Sequence, residues 1–325
     1  MRRKRILLFT LMALALINLG ACRKSSQPKN GTVKIGIIQY AKHNALDAAQ
    51  KGFIKALNQA GYKEGKNLTI NRKNAQSDQS NLQTMAQQLA GKNDLNFAIA
   101  TPAAQALKAA DPDTPSVFTA VTDPLSAALV NSLEKPGSNM TGSNMTGSID
   151  AGDIAQQMKL LTKLVPKAKT VGIFYNSSEV NSQTQAKAAQ KILREKGLKV
   201  LVKTVTTTND VQQVMTSLAS QVDAIYLPTD NTVASTASTI GKILKDYKIP
   251  ALGGDDAYLD AVLMTAGVDY RELGEKAGKQ AVQILKGKKA SAIPIEKPQK
   301  ALIKINPDMA KSLGLDYQNL KSLAK

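Results

Sequence analysis

Residues 33–61 read VKIGIIQYAKHNALDAAQKGFIKALNQAG. The opening run 33–38 is short, β-branched and almost wholly apolar, which suits a strand buried on both faces. From residue 44 the period changes, and Ala45, Leu46, Ala49, Phe53, Ala56, Leu57 and Ala60 fall on one helical stripe that Gly61 terminates. The same strand-then-helix unit recurs: strands are expected at 68–71, 96–100 and 116–120, and helices at 79–90 and 103–110. After a polar, Gly-rich stretch at 136–150 a second series begins. Its strands are expected at 170–175, 199–205, 223–227 and 250–252, its helices at 181–196, 210–219 and 233–247. Such alternation predicts an α/β fold of two Rossmann-like lobes, each a parallel sheet with helices on both faces. The remainder, 262–325, holds one strong helix at 270–286 and extended pieces such as 301–305. It is too short for a third domain, so it is expected to complete both halves through several crossings.

The chain has 325 residues, long enough for two domains, and its 43% hydrophobic content excludes wholesale disorder and a multi-span membrane protein. Lys and Arg number 43 against 25 acidic residues, a formal charge of +18. Part of that charge belongs to the N-terminus. Met1-Arg2-Arg3-Lys4-Arg5 precedes a dozen-residue apolar run and Asn18-Leu19-Gly20-Ala21-Cys22. That run is short for a membrane span and fits a secretory signal over 1–21. Leu19-Gly20-Ala21-Cys22 resembles a bacterial lipobox, in which cleavage precedes the Cys and its thiol carries a diacylglycerol; the alternative is an ordinary signal with an incidental Cys. Residues 22–31 are polar and read as a flexible tether. Removing the signal takes four positive charges from +18 and leaves +14, and Arg23, Lys24 and Lys29 of the tether would lie beside an anionic membrane surface. The remaining excess is Lys spread over helices, without Arg–aromatic clusters, so no nucleic-acid partner is expected.

Catalytic signatures are missing from the sequence. It has no phosphate-binding loop, dinucleotide fingerprint or nucleophile elbow. The single Cys can form no internal disulfide, and His43 is the only histidine, so neither a zinc site nor a Cys–His pair is available. Asp255, Asp256 and Asp260 lack the ligand spacing of a calcium loop. No cofactor, metal or enzymatic activity is expected. The pentapeptide Gly-Ser-Asn-Met-Thr occurs twice in succession over 137–146, either a lengthened hinge or a neutral duplication in a surface loop.

Open parallel sheets bind ligands beyond the carboxyl ends of their strands. Residues just past the expected strands are Gln39 and Tyr40, then Thr101-Pro102-Ala103, then Thr122-Asp123-Pro124; in the second half they are Tyr175 and Asn176, then Thr229-Asp230-Asn231, then Gly254-Asp255-Asp256. This set suits an amino acid. Thr101, Ala103 and Thr122 could hold a carboxylate, with free N–H groups at a helix start. Asp123, Asp230 or Asp255 could pair with an ammonium, and Tyr40 or Tyr175 could pack on a flat side chain. Thr-Pro and Asp-Pro are equally ordinary helix-start and turn signals.

Three stretches resemble the ABC-transporter substrate-binding lipoproteins of the tryptophan/tyrosine-type uptake family: Thr101-Pro102-Ala103-Ala104-Gln105, residues 117–124 (VFTAVTDP), and Pro228-Thr229-Asp230-Asn231-Thr232-Val233. Residues 74–82 (NAQSDQSNL), and Tyr175-Asn176 with Glu179 and Asn181-Ser182, fit it too. The resemblance covers nearly the whole mature chain and departs at the doubled pentapeptide. It implies a type I periplasmic-binding-protein fold, whose multi-crossover hinge would join an N-terminal lobe at 32–148 plus about 256–286 to a C-terminal lobe at 149–255 plus about 287–325. It implies a monomeric, lipid-anchored receptor on the extracellular face of a bacterial membrane. Such a receptor would deliver an amino acid, aromatic in type, to a permease driven by a separate ATPase, with Glu179 and Ser182 joining the site. The alternatives are a receptor for a nucleoside or sugar, a surface hydrolase using His43 or Asp255, and a structural lipoprotein or adhesin. An aromatic content of 4% with no Trp argues against a sugar-stacking platform. A cytoplasmic regulator would carry a DNA-binding helix-turn-helix where this chain has its signal.

Overall fold

The computed structural model describes residues 31–137 and 144–323. The expected signal, Cys22 and nearly all of the tether lie outside them, as does the middle of the doubled pentapeptide. In chain order the first lobe builds β1 (Val33–Gln39), α1 (Asn44–Gln59), β2 (Leu68–Asn74), α2 (Gln79–Leu89), β3 (Leu95–Ile99), α3 (Thr101–Ala110), β4 (Ser116–Val121) and β5 (Met145–Ile149). The second follows with α4 (Ile154–Leu164), β6 (Thr170–Asn176), α5 (Val180–Glu195), β7 (Lys199–Val205), α6 (Val211–Ala219), β8 (Ala224–Leu227), α7 (Asn231–Ala234), α8 (Ala237–Tyr247), β9 (Ala251–Gly253) and β10 (Met264–Gly267). The chain then returns through α9 (Tyr270–Leu285) and closes with β11 (Leu302–Ile305), α10 (Pro307–Ser312) and α11 (Tyr317–Leu323).

The first sheet has the order β2-β1-β3-β4-β5, all parallel, and the second the order β11-β10-β9-β8-β6-β7. The second sheet is parallel except for β11, which runs antiparallel to β10 at one edge. Parallel neighbours need a crossover, which the intervening helices supply on both faces. Central strands are accordingly buried throughout, β3, β4 and β8 at every position. Each lobe has its own apolar core. In the first, Phe53 of α1 stacks on Phe97 of β3 with ring centroids 3.7 Å apart; in the second, Tyr226 and Phe174 are fully buried.

Three differences from the sequence reading follow from tertiary packing. The expected helix 233–247 is two helices, α7 and α8, broken at Ser235 and Thr236. Helix α4 and strand β5 were not expected, because β5 (MTGSI) carries Thr, Gly and Ser inside a buried strand. The expected allocation of the chain between lobes also shifts. Residues 256–267, assigned above to the first lobe, belong to the second, where β10 lies between β9 and β11. Residues 287–296, assigned to the second, pack on the first: Ile295 N–H donates to Leu133 O at 2.7 Å and Glu296 O accepts from Ile149 N–H at 2.9 Å. The chain thus crosses near 150, 268 and 297–301. Periodicity specifies a strand but not the sheet that takes it.

Candidate functional site

The carboxyl ends of the two sheets face each other. Tyr40, following β1, brings its hydroxyl 3.4 Å from Thr232 Oγ1 of the second lobe, and Ser77 Oγ lies 3.4 Å from Ser235 Oγ. These approaches describe lobes in a closed arrangement.

On the first-lobe side the backbone is strained where it turns toward the cleft. Gln76 (φ 55), Ser77 (φ 62), Ala100 (φ 88) and Ala120 (φ 55) are non-glycine residues with positive φ, all at or just beyond the ends of β2, β3 and β4. Such residues cost on the order of 1–3 kcal/mol each and cluster where function imposes geometry. Ala100 turns the chain from β3 into α3, so Thr101, Pro102 and Ala103 form a buried first turn ahead of the first intrahelical bond, from Ala104 N–H to Ala100 O.

The expected residues divide into those the cleft can use and those already engaged. Gln39 braces the turn behind it: its amide donates to Ala41 O at 2.7 Å and Asp47 Oδ1 at 2.9 Å, and its oxygen accepts from Gln50. Asp123 caps its own turn, accepting from Leu125 N–H and Ser126 N–H at 3.0 Å and from the Ser126 hydroxyl. Tyr175 packs within the apolar core of the second lobe. Thr122 and Tyr40 remain at the cleft. Burial, reinforced by Glu179, pushes the Tyr40 hydroxyl up to about 12, so it acts as a neutral donor.

The second-lobe residues form one buried network around α7. Glu179 accepts from Asn231 Nδ2 at 2.6 Å and N–H at 3.2 Å, and from Thr232 N–H at 2.9 Å and its hydroxyl at 2.8 Å. Asp230 caps α7, accepting from Val233 N–H at 2.8 Å, and takes Asn176 N–H at 2.6 Å. Asn176 Nδ2 donates to Thr232 Oγ1 at 2.8 Å, and Ser182 Oγ donates to Thr229 O at 3.1 Å. Both carboxylates are therefore satisfied by uncharged donors. Burial first, and Glu179 second, hold the Asp230 carboxyl well above the usual carboxylate range.

A further acidic cluster sits where the chain crosses between lobes. The Tyr270 hydroxyl lies 2.7 Å from Asp255 Oδ2 and 2.8 Å from Asp150 Oδ2. Asp255 was an expected site residue; Asp150 and Tyr270 were not. Asp150 directly follows the unforeseen strand β5, and Tyr270 opens α9, so neither followed an expected strand. His43, considered only as a hydrolase candidate, is half-buried at the start of α1, with both ring nitrogens shielded from solvent and neither hydrogen-bonded. Burial lowers its pKa to about 4, against the opposing pull of Glu179 and Asp47. Thr232, also missed, connects Glu179, Asn176 and Tyr40.

Between the lobes a cavity of about 300 Å³ is lined by Thr122, Leu125, Leu133 and Ile149 on one side and Ile154, Thr184 and Ala188 on the other. Among the described residues no group of His, Cys, Asp and Glu is arranged to hold a metal, and no helix is long and apolar enough to cross a membrane.

Residues 34–324 match the family model described as ABC transporter substrate binding protein. A tyrosine-binding protein of Clostridioides difficile (strain R20291) is 40% identical over 290 residues, covering 89% of this chain and 82% of the relative. An ABC domain from Streptococcus pneumonia in complex with L-Trp is 36% identical, with a TM-score of 0.81 over 89% of this chain and 98% of that one. A ligand-free, open substrate-binding protein with adhesive properties from Clostridium difficile is 41% identical but superposes with a TM-score of only 0.64, over 88% and 96%. The weaker superposition on the open structure, despite its 41% identity, agrees with the closed contacts at Tyr40 and Ser77. With the family matched across both lobes and their facing strand ends, this chain belongs to the ABC transporter substrate-binding proteins, which work outside the cytoplasm.

Proposed function

We propose that this protein is the extracellular receptor of an ABC importer, capturing an aromatic amino acid between its lobes and presenting the closed form to a permease driven by a separate ATPase. The observation that carries this reading is the cleft itself: two sets of strand ends meet across the Tyr40–Thr232 contact, lined by buried acidic groups with no ion pair among the described residues. Buried charge in such surroundings favours a ligand that brings the opposite charge. The first turn of α3 offers N–H groups to a carboxylate, Thr122 a hydroxyl, and Tyr40 a ring edge. The names of the tyrosine-binding relative and the L-Trp complex support the aromatic class. Nothing in this role calls for catalysis or a cofactor, and the receptor acts as a monomer.

A thermal-shift screen of the mature protein against the twenty amino acids tests the ligand. Tyrosine, tryptophan or phenylalanine is expected to raise Tm by several degrees through mass action. No response to any amino acid, with a response to a nucleoside or sugar, would refute it.

Membrane attachment rests on Cys22, read as the lipidated first residue of the mature chain. Cys22→Ala is expected to move the protein from the membrane fraction into the medium or leave it as uncleaved precursor. Unchanged fractionation, with no lipid on wild-type Cys22 by mass spectrometry, would remove the anchor from this account.

A further inference from the structure

The Asp150–Tyr270–Asp255 cluster has more acceptors than donors, even with Ala257 N–H donating to Asp255 Oδ1 at 2.7 Å. One phenolic hydroxyl carries one proton, yet it lies within hydrogen-bond distance of an oxygen from each carboxylate. All three side chains are buried, and Asp150 Oδ1 has no hydrogen-bond partner. No ion pair among the described residues reaches Asp150 or Asp255. Two anions on one hydroxyl in a dry site repel each other, so the cluster is complete only with one more positive charge.

The surroundings indicate where that charge comes from. The three residues lie on three segments that meet between the lobes: Asp150 on the first crossover, Asp255 after β9, and Tyr270 at the start of α9. Ile149 and Ala151, on either side of Asp150 in sequence, line the interlobe cavity together with Thr122, and Thr122 is close enough to the Asp150 carboxyl to oppose part of the shift that burial imposes. The cavity is of the size that takes small molecules, roughly 300 Å³ or more. Glu179 and Asp230 are weaker candidates, because donors of their own lobe already satisfy them.

We propose that Asp150, Asp255 and Tyr270 are the point at which the closed protein recognises the cationic group of its ligand, a primary ammonium, and that a single shared proton takes its place when the ligand has none. This rests on the amino-acid reading above. The empty receptor is thereby kept from closing at neutral pH, and a ligand lacking the ammonium is rejected. Burial raises both carboxyls to about 6, with Asp255 adding to the shift at Asp150 and Asp256 to that at Asp255. Asp256 itself is paired with Lys304 at 2.6 Å. The sign follows directly: an acid whose closed-state pKa is raised favours closure at low pH, and loses that contribution as pH rises through about 6. His43 works in the opposite direction, because its buried neutral ring opposes closure as pH falls from its ordinary value toward about 4. It does so for any ligand, so its effect cancels in a ratio of two affinities.

The test is calorimetric binding of L-tyrosine and L-tryptophan, each beside its analogue lacking only the amino group. In the wild-type protein the analogue should bind far more weakly at pH 8, and its affinity relative to the amino acid should rise about tenfold by pH 5. Asp150→Asn should weaken amino-acid binding at least tenfold, spare the analogue, and flatten the pH dependence of the ratio. A ratio that does not move with pH in the wild type, or a folded Asp150→Asn protein that loses both ligands equally or neither, overturns the proposal. If Asp150→Asn does not fold, the wild-type ratio decides alone. Absence of binding by any amino acid would overturn the functional reading together with this one, whereas amino-acid binding with an unmoved ratio overturns only this one.

Discussion

Glu179→Ala should destabilise the second lobe by roughly 3 kcal/mol or more, because each orphaned buried donor costs about 1–3 kcal/mol. The carboxylate takes four donors from Asn231 and Thr232, and those two residues form the first turn of α7. Without it, two backbone N–H groups, an amide and a hydroxyl lose their acceptor inside the protein. One effect opposes the loss: removing Glu179 relieves its repulsion of Asp230, so the Asp230 carboxyl should titrate closer to its ordinary range. That relief acts on one ionisation, whereas the loss extends over several hydrogen bonds, so the net effect remains destabilising. Glu179→Gln should fall between, since it keeps one acceptor oxygen but presents an NH₂ to donors. Urea denaturation of the three proteins checks the order. Equal midpoints for wild type and Glu179→Ala would mean that water replaces the carboxylate and the network is not structural. Ligand binding should weaken in the same order, because Thr232 meets Tyr40 across the cleft.

Gly274→Ala should lower Tm by about 5–10 °C, and Gly274→Val should prevent folding of the first lobe, since overpacking costs about 1–3 kcal/mol and more when backbone must move. A Cβ at Gly274 would sit 1.9 Å from Ala49 O, and one at Gly52 would sit 2.1 Å from Arg271 O. In both cases the obstacle is the backbone of the facing helix, which no rotamer change can relieve. Helices α1 and α9 are therefore in backbone contact, and α9 is the segment that returns from the second lobe and starts with Tyr270. Separating them displaces Phe53 from its stack on Phe97 and moves Tyr270 relative to Asp150 and Asp255. The double variant Gly52→Ala/Gly274→Ala should lose less than the sum of the single variants, because the first Cβ already parts the helices. Additive losses in thermal denaturation would show that the two positions yield independently.

The architecture was legible because its elements carry strong periods. An apolar run such as 33–38 followed by the stripe of α1 admits few alternatives, and most strands stand within a residue or two of their expected limits. Elements were lost where that signal fails. Strand β5 is buried yet polar in composition, with Thr146 bonded to Ile293 O and Ser148 to Leu273 O. These side chains are inside because the returning segment supplies their partners, and that segment lies more than a hundred residues away.

The candidate site was legible as a location and less so as roles. Residues after strands were correctly placed at one edge of each sheet, which is a property of parallel topology. What each side chain does there depends on neighbours that sequence distance hides. Gln39 and Asp123 turned out to brace their own turns, through partners eleven residues or fewer away. Glu179 and Asp230 became structural centres of α7, and Asp255 acquired partners in Tyr270 and, through it, Asp150.

By itself the sequence determined two α/β lobes, the polar strand ends and the family, because local periodicity and short motifs are properties of neighbouring residues. Only the tertiary structure decided which sheet receives β10 and β11, which carboxylates are satisfied, and that one tyrosine hydroxyl serves two of them. These depend on close approaches between segments far apart in the chain, made where the crossovers bring both lobes and α9 together.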